Sequence, residues 1–469
     1  MIKTWTTDEI LHATGGELLL GETEHYFSGI SIDSRKISND NLFVAIKGEV
    51  HDGHRFIQSV IKQGGRGLII DENKANELPR AEWREKGVVC IAVTDTTTAL
   101  GDLAAFNRRR SDVSVVAITG SNGKTTTRKM TATVVAQRFS TLSSRGSFNN
   151  EIGLPLTLFN LEDSHEWAVL ELGMNNPGEI SKLADICLPD IGVITNIGPA
   201  HIGKLGSMEG IMNAKGELLE KISPGGIAIL NADDPRVLKL KTRNSELETR
   251  NKIILFGLSR DSLIRAISVK EEKTGVSFTL SLPTESIPIH LGNPGTFMVS
   301  NALAAASVGY ALGLSAQEIK TGLEAFEPVR GRMNHLKTKQ GISIIDDTYN
   351  ANPGSMEAAI MALRSLKGAG RGIFVSGDMR ELGEYAESMH RKLGSLASGT
   401  EVAKLYVTGE FAEAVATGAR DKGMESCNIF IGTKREIIED LIASLKPDDC
   451  VLVKGSRAMK MEEIINALI

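Results

Sequence analysis

The sequence predicts an α/β protein of three domains: a small mixed α/β N-terminal unit, a central P-loop-type parallel-sheet domain, and a C-terminal doubly wound, Rossmann-like domain. Three observations carry this. From residue 113 onward, apolar strand-type runs alternate with helix-type segments. A chain of 469 residues, at ~150 residues per domain, supports about three cores. And a glycine-rich turn separates the first strong strand from the helix that follows it.

The N-terminal unit, residues 1–94, opens as an amphipathic helix start bearing acids, unlike a secretion signal's basic region followed by an apolar one. Strand-type runs within Gly29–Arg35 and Leu42–Gly48, a helix near Phe56–Gln63 and the strand Gly67–Ile70 follow. Asp33, Ser34 and Arg35 end one strand, and His51-Asp-Gly-His54 follows another. Such a convergence suits a phosphorylated or sugar ligand, and suits turn chemistry with a solvated ion pair equally well. A helix from Thr97 leads out of this unit, and Arg108-Arg109-Arg110 complements its C-terminus.

The central domain, residues 95–328, alternates strands at 113–119, 167–171, 191–196 and 227–230 with helices at 124–139, 178–186 and 208–221. A hairpin-like region at 264–281 and helices at 299–313 and 315–326 close it. The C-terminal domain, residues 329–469, repeats the alternation with strands at 342–346, 372–376, 404–408, 428–431 and 450–453. Pro328–Met333 reads as the hinge between the two. In such sheets ligands bind at the carboxyl ends of the strands.

Composition narrows the function. Lys plus Arg number 53 against 58 Asp plus Glu, a balance of −5 that gives no general attraction to nucleic acid or anionic membrane. No run reaches the ~18 apolar residues of a membrane span. The four cysteines show no metal-ligand spacing and fit free thiols in a reducing cytoplasm.

Chemistry concentrates in Val113–Thr127. Gly120, Ser121, Asn122 and Gly123 form a turn whose backbone N–H groups can cradle phosphate, Lys124 brings a point charge, and Thr125 and Thr126 bring hydroxyls. Against G-x-x-x-x-G-K-[ST] the first glycine is missing, Ile118 standing there, so the loop is a shorter variant. Mg²⁺ takes hard oxygens, and Thr125 with the strand-end Glu171 supplies them. His201, in a turn after the neighbouring strand, can reach a second ion. Lys215 lies within a helix, where its spacing alone reads as a solvated charge. Asp346–Asn352 ends an apolar strand with acids and amides, a site candidate.

Read together, these stretches resemble the Mur ligase family over essentially the whole chain. The resemblance rests on Thr119–Thr126, Phe148–Pro155, Glu171–Glu179, Asn196–His201, Ala214–Glu217 and Asn301–Ala305. Asp346–Pro353, Gly377–Gly383 and Val453–Arg457 resemble the branch that handles D-alanyl-D-alanine. The resemblance implies an ATP- and Mg²⁺-dependent ligase of peptidoglycan synthesis. Its partners are UDP-MurNAc-tripeptide and D-alanyl-D-alanine, and it is a cytoplasmic monomer. It implies catalytic roles for Lys124, Glu171, His201, Lys215 and Asp347, with Lys215 carbamylated as a metal ligand beside Thr125, Glu171 and His201. Nucleotide contacts fall to the cradle with Asn301, Arg332 and Asp347. Asp33, Ser34, Arg35, Asn149 and Asn150 face the UDP-sugar peptide, and Asn350 and Asn352 the dipeptide. One departure stands out: Phe297 and Met298 occupy positions where the family commonly has His-Asn, leaving Asn301 to recognise adenine. A folylpolyglutamate synthase-like ligase shares the cradle, and a nucleotide-binding switch or non-ligating paralogue is the alternative from another class.

Overall fold

The computed structural model describes residues 4–38, 40–48, 51–77, 79–144, 146–244, 247–272 and 275–469. In the N-terminal unit a five-stranded sheet runs in the order Glu17–Leu20, Val89–Val93, Gly67–Asp71, Asn41–Val44, Gly29–Ser31, and only the Glu17–Leu20 edge is antiparallel. Period-2 alternation fills both faces: Leu42, Val44, Ile69 and Ile91 enter one core, Phe43, Ala45, Leu68, Ile70 and Cys90 the other. The opening helix Thr7–Thr14 is started by a reciprocal Thr6–Glu9 capping box.

Helix Thr96–Arg109 leads into the central domain. Two of its arginines reach beyond their own helix end, where the sequence placed them, although Arg108 also donates to Ser111 O there (3.1 Å). Arg108 is buried and donates to Cys187 O (3.0 Å) and Leu188 O (3.5 Å), carbonyls at the end of helix Glu179–Cys187. Arg110 lies over the Trp5 ring at 4.2 Å. Two neighbouring elements captured charges that the sequence pattern assigned locally.

Among the described residues the central sheet has nine strands. Seven are parallel, in the order Thr141–Ser143, Trp167–Glu171, Ser114–Thr119, Ile191–Ile194, Ile227–Asn231, Lys252–Gly257, Ile264–Glu272; Gly275–Ser281 and Ser286–Leu291 then continue it antiparallel. Three of these strands go beyond the sequence expectation: Thr141–Ser143, Lys252–Gly257 and Ser286–Leu291. The first is too short to show a period, and the last alternates with polar residues at the sheet edge.

The C-terminal sheet runs Asn334–Lys337, Ser343–Asp347, Cys450–Lys454, Gly372–Ser376, Lys404–Val407, Ile429–Ile431, parallel except for its first, polar strand. Among the described residues no helix is long and apolar enough to cross a membrane. Carboxyl ends of strands from the central and C-terminal sheets face one cavity of about 470 Å³, which the chemistry below occupies.

Candidate active site

The cradle is built as its residue types require. Strand Ser114–Thr119 delivers the chain into a turn in which Gly120 (φ 150°) and Gly123 (φ 79°) take backbone angles that side chains rarely adopt. A Cβ on Gly120 would also collide with Thr195 Oγ1, and one on Gly123 with Asn301 Oδ1. Asn196, at the end of the adjacent strand, accepts from Asn122 N (2.9 Å) and donates to Asn122 O (3.0 Å), so the turn is clamped on both sides. Helix Lys124–Val135 begins there, aiming its first N–H groups into the cavity. Lys124 is half-buried, and its amine donates to Gly120 O at 2.9 Å. Burial lowers its pKa, opposed by the Glu171 charge.

Glu171, 2% exposed, accepts from Thr125 Oγ1 (2.9 Å) and Asn149 Nδ2 (2.7 Å), with Arg128 Nε 3.8 Å away. A hydroxyl and a carboxylate in contact beside a phosphate cradle fit Mg²⁺, which takes one or two protein oxygens and completes its shell with water and phosphate. His201 lines the same cavity, and its Nδ1 lies 2.5 Å from Glu381 Oε2 of the C-terminal domain. The approach is oblique to the N–H direction, so the two groups meet as an ion-pair contact and not as a hydrogen bond. It holds the Glu381 carboxyl below the usual carboxylate range.

Lys215 corrects the expectation of a solvated charge: it is 2% exposed. It has no hydrogen-bond or ion-pair partner among the described residues. Burial, and then the Lys124 charge, push its pKa well below the ordinary lysine value. The sequence held a signal for this, because Ile211, Met212, Lys215, Leu218 and Leu219 share one helical face whose other members are core. Burial of an unpaired amine favours its uncharged, nucleophilic form, the form that reacts with CO₂. Lys215 does not itself line the cavity.

The C-terminal domain closes the other wall. Arg332 donates to Thr125 Oγ1 (3.3 Å) and lies over the Tyr349 ring at 4.2 Å, while Tyr349 OH donates to Ser147 Oγ at 2.5 Å. Asn352 Nδ2 donates to Asn122 Oδ1 (2.8 Å), and its side-chain oxygen caps helix Pro353–Leu366. Both oxygens of Asp347 are engaged, by Lys454 Nζ (2.5 Å) and Met333 N (3.1 Å). Lys454 also donates to Asn350 O at 2.8 Å.

Of the residues singled out from sequence, the cavity gathers Ser121, Asn122, Gly123, Lys124, Thr125, Thr126, Asn149, Asn150, Glu171, His201, Asn301, Arg332, Asp347, Asn350 and Asn352. Gly120 supports the loop from behind. Asn301 is 6% exposed, and its Oδ1 accepts from Thr127 Oγ1 at 3.2 Å; Phe297 and Met298 line the cavity beside it. Asp33, Ser34 and Arg35 lie outside this cavity. Arg35 donates to both Asp33 oxygens (2.8 and 2.9 Å) and holds its carboxyl down at about 2, while Ser34 O accepts from Gln63. His54 is tied to Asp52 and to Asp71 N, a loop anchor. Sequence reasoning assigned no role to Asn196, Tyr349, Glu381 or Lys454. Lys454 could have been found: it ends a buried parallel strand directly in register with Asp347, which ends the neighbouring one.

Family models match this chain in three consecutive pieces: the Mur ligase family catalytic domain at residues 26–108, the Mur ligase middle domain at 118–309, and the Mur ligase glutamate ligase domain at 331–457. The chain belongs to the Mur ligase family. Among Mur ligases, it is 35% identical to the UDP-N-acetylmuramoyl-tripeptide–D-alanyl-D-alanine ligase of Bacillus subtilis (strain 168), over 94% of this chain and 93% of that one. The crystal structure of MurF from Acinetobacter baumannii superposes with a TM-score of 0.90 at 32% identity, covering 100% of this chain and 99% of that one. MurF ligase from Thermotoga maritima in complex with ADP gives 0.81 at 28% identity, covering 94% and 96%.

Proposed function

We propose that this protein is an ATP-dependent ligase joining D-alanyl-D-alanine to UDP-MurNAc-tripeptide, which completes the cytoplasmic UDP-MurNAc-pentapeptide precursor of peptidoglycan. The observation that carries the reading is the single cavity in which the phosphate cradle, the Thr125–Glu171 pair and the C-terminal Arg332, Asp347 and Asn350 converge. Full-length similarity to ligases of that name supports the choice of substrates over a folylpolyglutamate-type activity.

In this reading the tripeptide's terminal carboxylate attacks the γ-phosphorus of ATP, releasing ADP and forming an acyl phosphate. The dipeptide amine then attacks the acyl carbon, and inorganic phosphate leaves as the amide forms. Two anions must meet in the first step, so the chain supplies cations: Lys124 swings from Gly120 O to the β/γ-phosphates, and Arg332 faces them from the opposite wall. Thr125 and Glu171 would hold one Mg²⁺, and His201 with carbamylated Lys215 a second, adding charge neutralisation when bound. We assign adenine to Asn301, the UDP-sugar peptide to residues 1–94 with Asn149 and Asn150, and the dipeptide to residues 329–469 near Asn350 and Asn352. The central unit, 95–328, is the nucleotide domain, and the protein works as a monomer. Asp347, already bound to Lys454, serves the ribose or the amine only by sharing that lysine.

The test is ADP release with UDP-MurNAc-tripeptide and D-Ala-D-Ala, omitting each in turn. Sustained ADP release should need both, with at most about one equivalent per enzyme formed from the tripeptide alone. Equal turnover with glutamate or single L-amino acids would move the protein to a sibling activity.

A further inference from the structure

We propose that Tyr349 is a positioning residue for Arg332: its ring carries the guanidinium at the wall opposite the phosphate cradle, and its hydroxyl pins that ring to Ser147 of the central domain. The inference rests on the ligase reading, in which Arg332 meets the phosphates of ATP.

Arg332 is held without a counter-ion. Its guanidinium lies over the Tyr349 ring, the central carbon 4.2 Å from the centroid. Among the described residues its one hydrogen bond goes to Thr125 Oγ1 (3.3 Å), it has no carboxylate partner, and its buried Nε is unpartnered. A carboxylate brace would consume both N–H donors and charge. Stacking on an aromatic face holds the group and consumes neither. Donors left unspent beside a phosphate cradle are what a transferring phosphoryl group needs. Arg457 is the other guanidinium near the ring, at 5.9 Å, and it is committed to Glu462 at 2.8 Å.

The ring in turn is held at both ends. Tyr349 N donates to Gly331 O (3.0 Å), and a Cβ on Gly331 would press on Tyr349 N and Cβ at 3.2 Å. Gly331 N donates to Asp346 Oδ2 and Met333 N to Asp347 Oδ1, both at 3.1 Å. The residues flanking Arg332 are both left-handed, Gly331 at φ 74° and Met333 at φ 51°, a conformation a non-glycine residue keeps only where its surroundings over-determine it. The segment carrying Arg332 is thus fastened to the strand end carrying Tyr349. At the far end of the ring the hydroxyl donates to Ser147 Oγ at 2.5 Å, 202 residues away in sequence. Ser147 shortly precedes Asn149, which donates to Glu171 at 2.7 Å. The ring is therefore registered against the same loop that contacts Glu171. A tyrosine that only filled space would need no bond across the domain boundary.

The experiment measures steady-state ligation by the full chain with ATP, UDP-MurNAc-tripeptide and D-Ala-D-Ala, separating kcat from KM for ATP, with melting temperature reporting the fold. Tyr349→Leu removes ring and hydroxyl and should cut kcat roughly 100-fold, the scale of a small misplacement at a reacting centre, while KM for ATP changes by less than about threefold. Tyr349→Phe keeps the ring and should recover most of that loss, leaving a deficit of roughly 3- to 10-fold, the worth of one hydrogen bond. Ser147→Ala should match Tyr349→Phe, and the two together should lose no more than either alone. In an Arg332→Ala background, Tyr349→Leu should add nothing. Should Tyr349→Leu not fold, Tyr349→Phe and Ser147→Ala, each combined with Arg332→Ala, carry the same test. Wild-type kcat in a folded Tyr349→Leu, Tyr349→Phe or Arg332→Ala, no recovery in Tyr349→Phe, a loss confined to KM, or a further loss in the Arg332→Ala background overturns the proposal. Failure of the ligase reading looks different: the wild-type protein would show no sustained ADP release with both substrates present.

Discussion

Two fully buried lysines, of which Lys454 lines the cavity and Lys215 does not, differ in what is paired with them. Lys454 ends a strand of the C-terminal sheet against the Asp347 carboxylate, whereas Lys215 lies in a helix of the central domain with only the like charge of Lys124 to feel. Burial lowers the pKa of both amines; Asp347 pulls Lys454 back up, and nothing does so for Lys215. The comparison teaches that burial alone does not assign a lysine its work. With a carboxylate, the ammonium braces two strand ends. Without one, burial pushes the amine toward its uncharged, nucleophilic form.

The largest effect tests the source of the like charge. Lys124→Ala should cut ligation by roughly three orders of magnitude while the melting temperature stays near wild type, since the residue opens a helix at the cavity wall outside the apolar core. It should also raise the Lys215 pKa by removing the nearby cation. Near wild-type turnover in a folded variant would sink the cradle as the ATP site.

The second prediction sets the two lysines against each other. Lys454→Met strands the Asp347 carboxylate and should cost about 3–5 kcal/mol in denaturant unfolding. Lys215→Met, of similar shape and leaving no orphaned partner, should change stability by less than about 1.5 kcal/mol, or raise it, while abolishing ligation. Similar losses for both would erase the distinction.

A pH series sharpens it further. Because the folded pKa of Lys215 is depressed, the unfolded chain binds a proton that the folded chain lacks between that lowered value and the ordinary ~10.4. Stability therefore rises with pH across that window. In CO₂-free buffer the wild type should gain up to about 1.4 kcal/mol per pH unit relative to Lys215→Met, and the gain should level off above the ordinary lysine range. Parallel curves would mean the folded amine keeps its proton.

The smallest effect lies away from the lysines. Asn301→Leu should raise the Michaelis constant for ATP and narrow the preference over GTP by roughly 1–3 kcal/mol, whereas Met298→Leu should do neither. Because Asn301 also accepts from Thr127 at 3.2 Å, a loss shared equally by ATP and GTP would reassign it to bracing the cradle.

The sequence by itself determined the three alternating α/β units, the short glycine cradle, and the strand-end candidates Glu171 and Asp347. These follow from local physics: period-2 and period-3.6 burial, glycine's access to positive φ, and the convergence of parallel strand ends on ligands. It left Asp33–Arg35 ambiguous, because a solvated pair and a ligand site share residue types. Only the tertiary structure decided which charges meet. Lys454 and Asp347 are 107 residues apart, Arg332 and Thr125 are 207, and Asn352 and Asn122 are 230. Only it showed Lys215 alone among apolar neighbours and Glu381 against His201. The physical reason is that desolvation and pairing are properties of the surroundings. A charged side chain brings its own proton affinity to the fold, but whether it is braced, neutralised or aimed depends on what other parts of the chain place beside it.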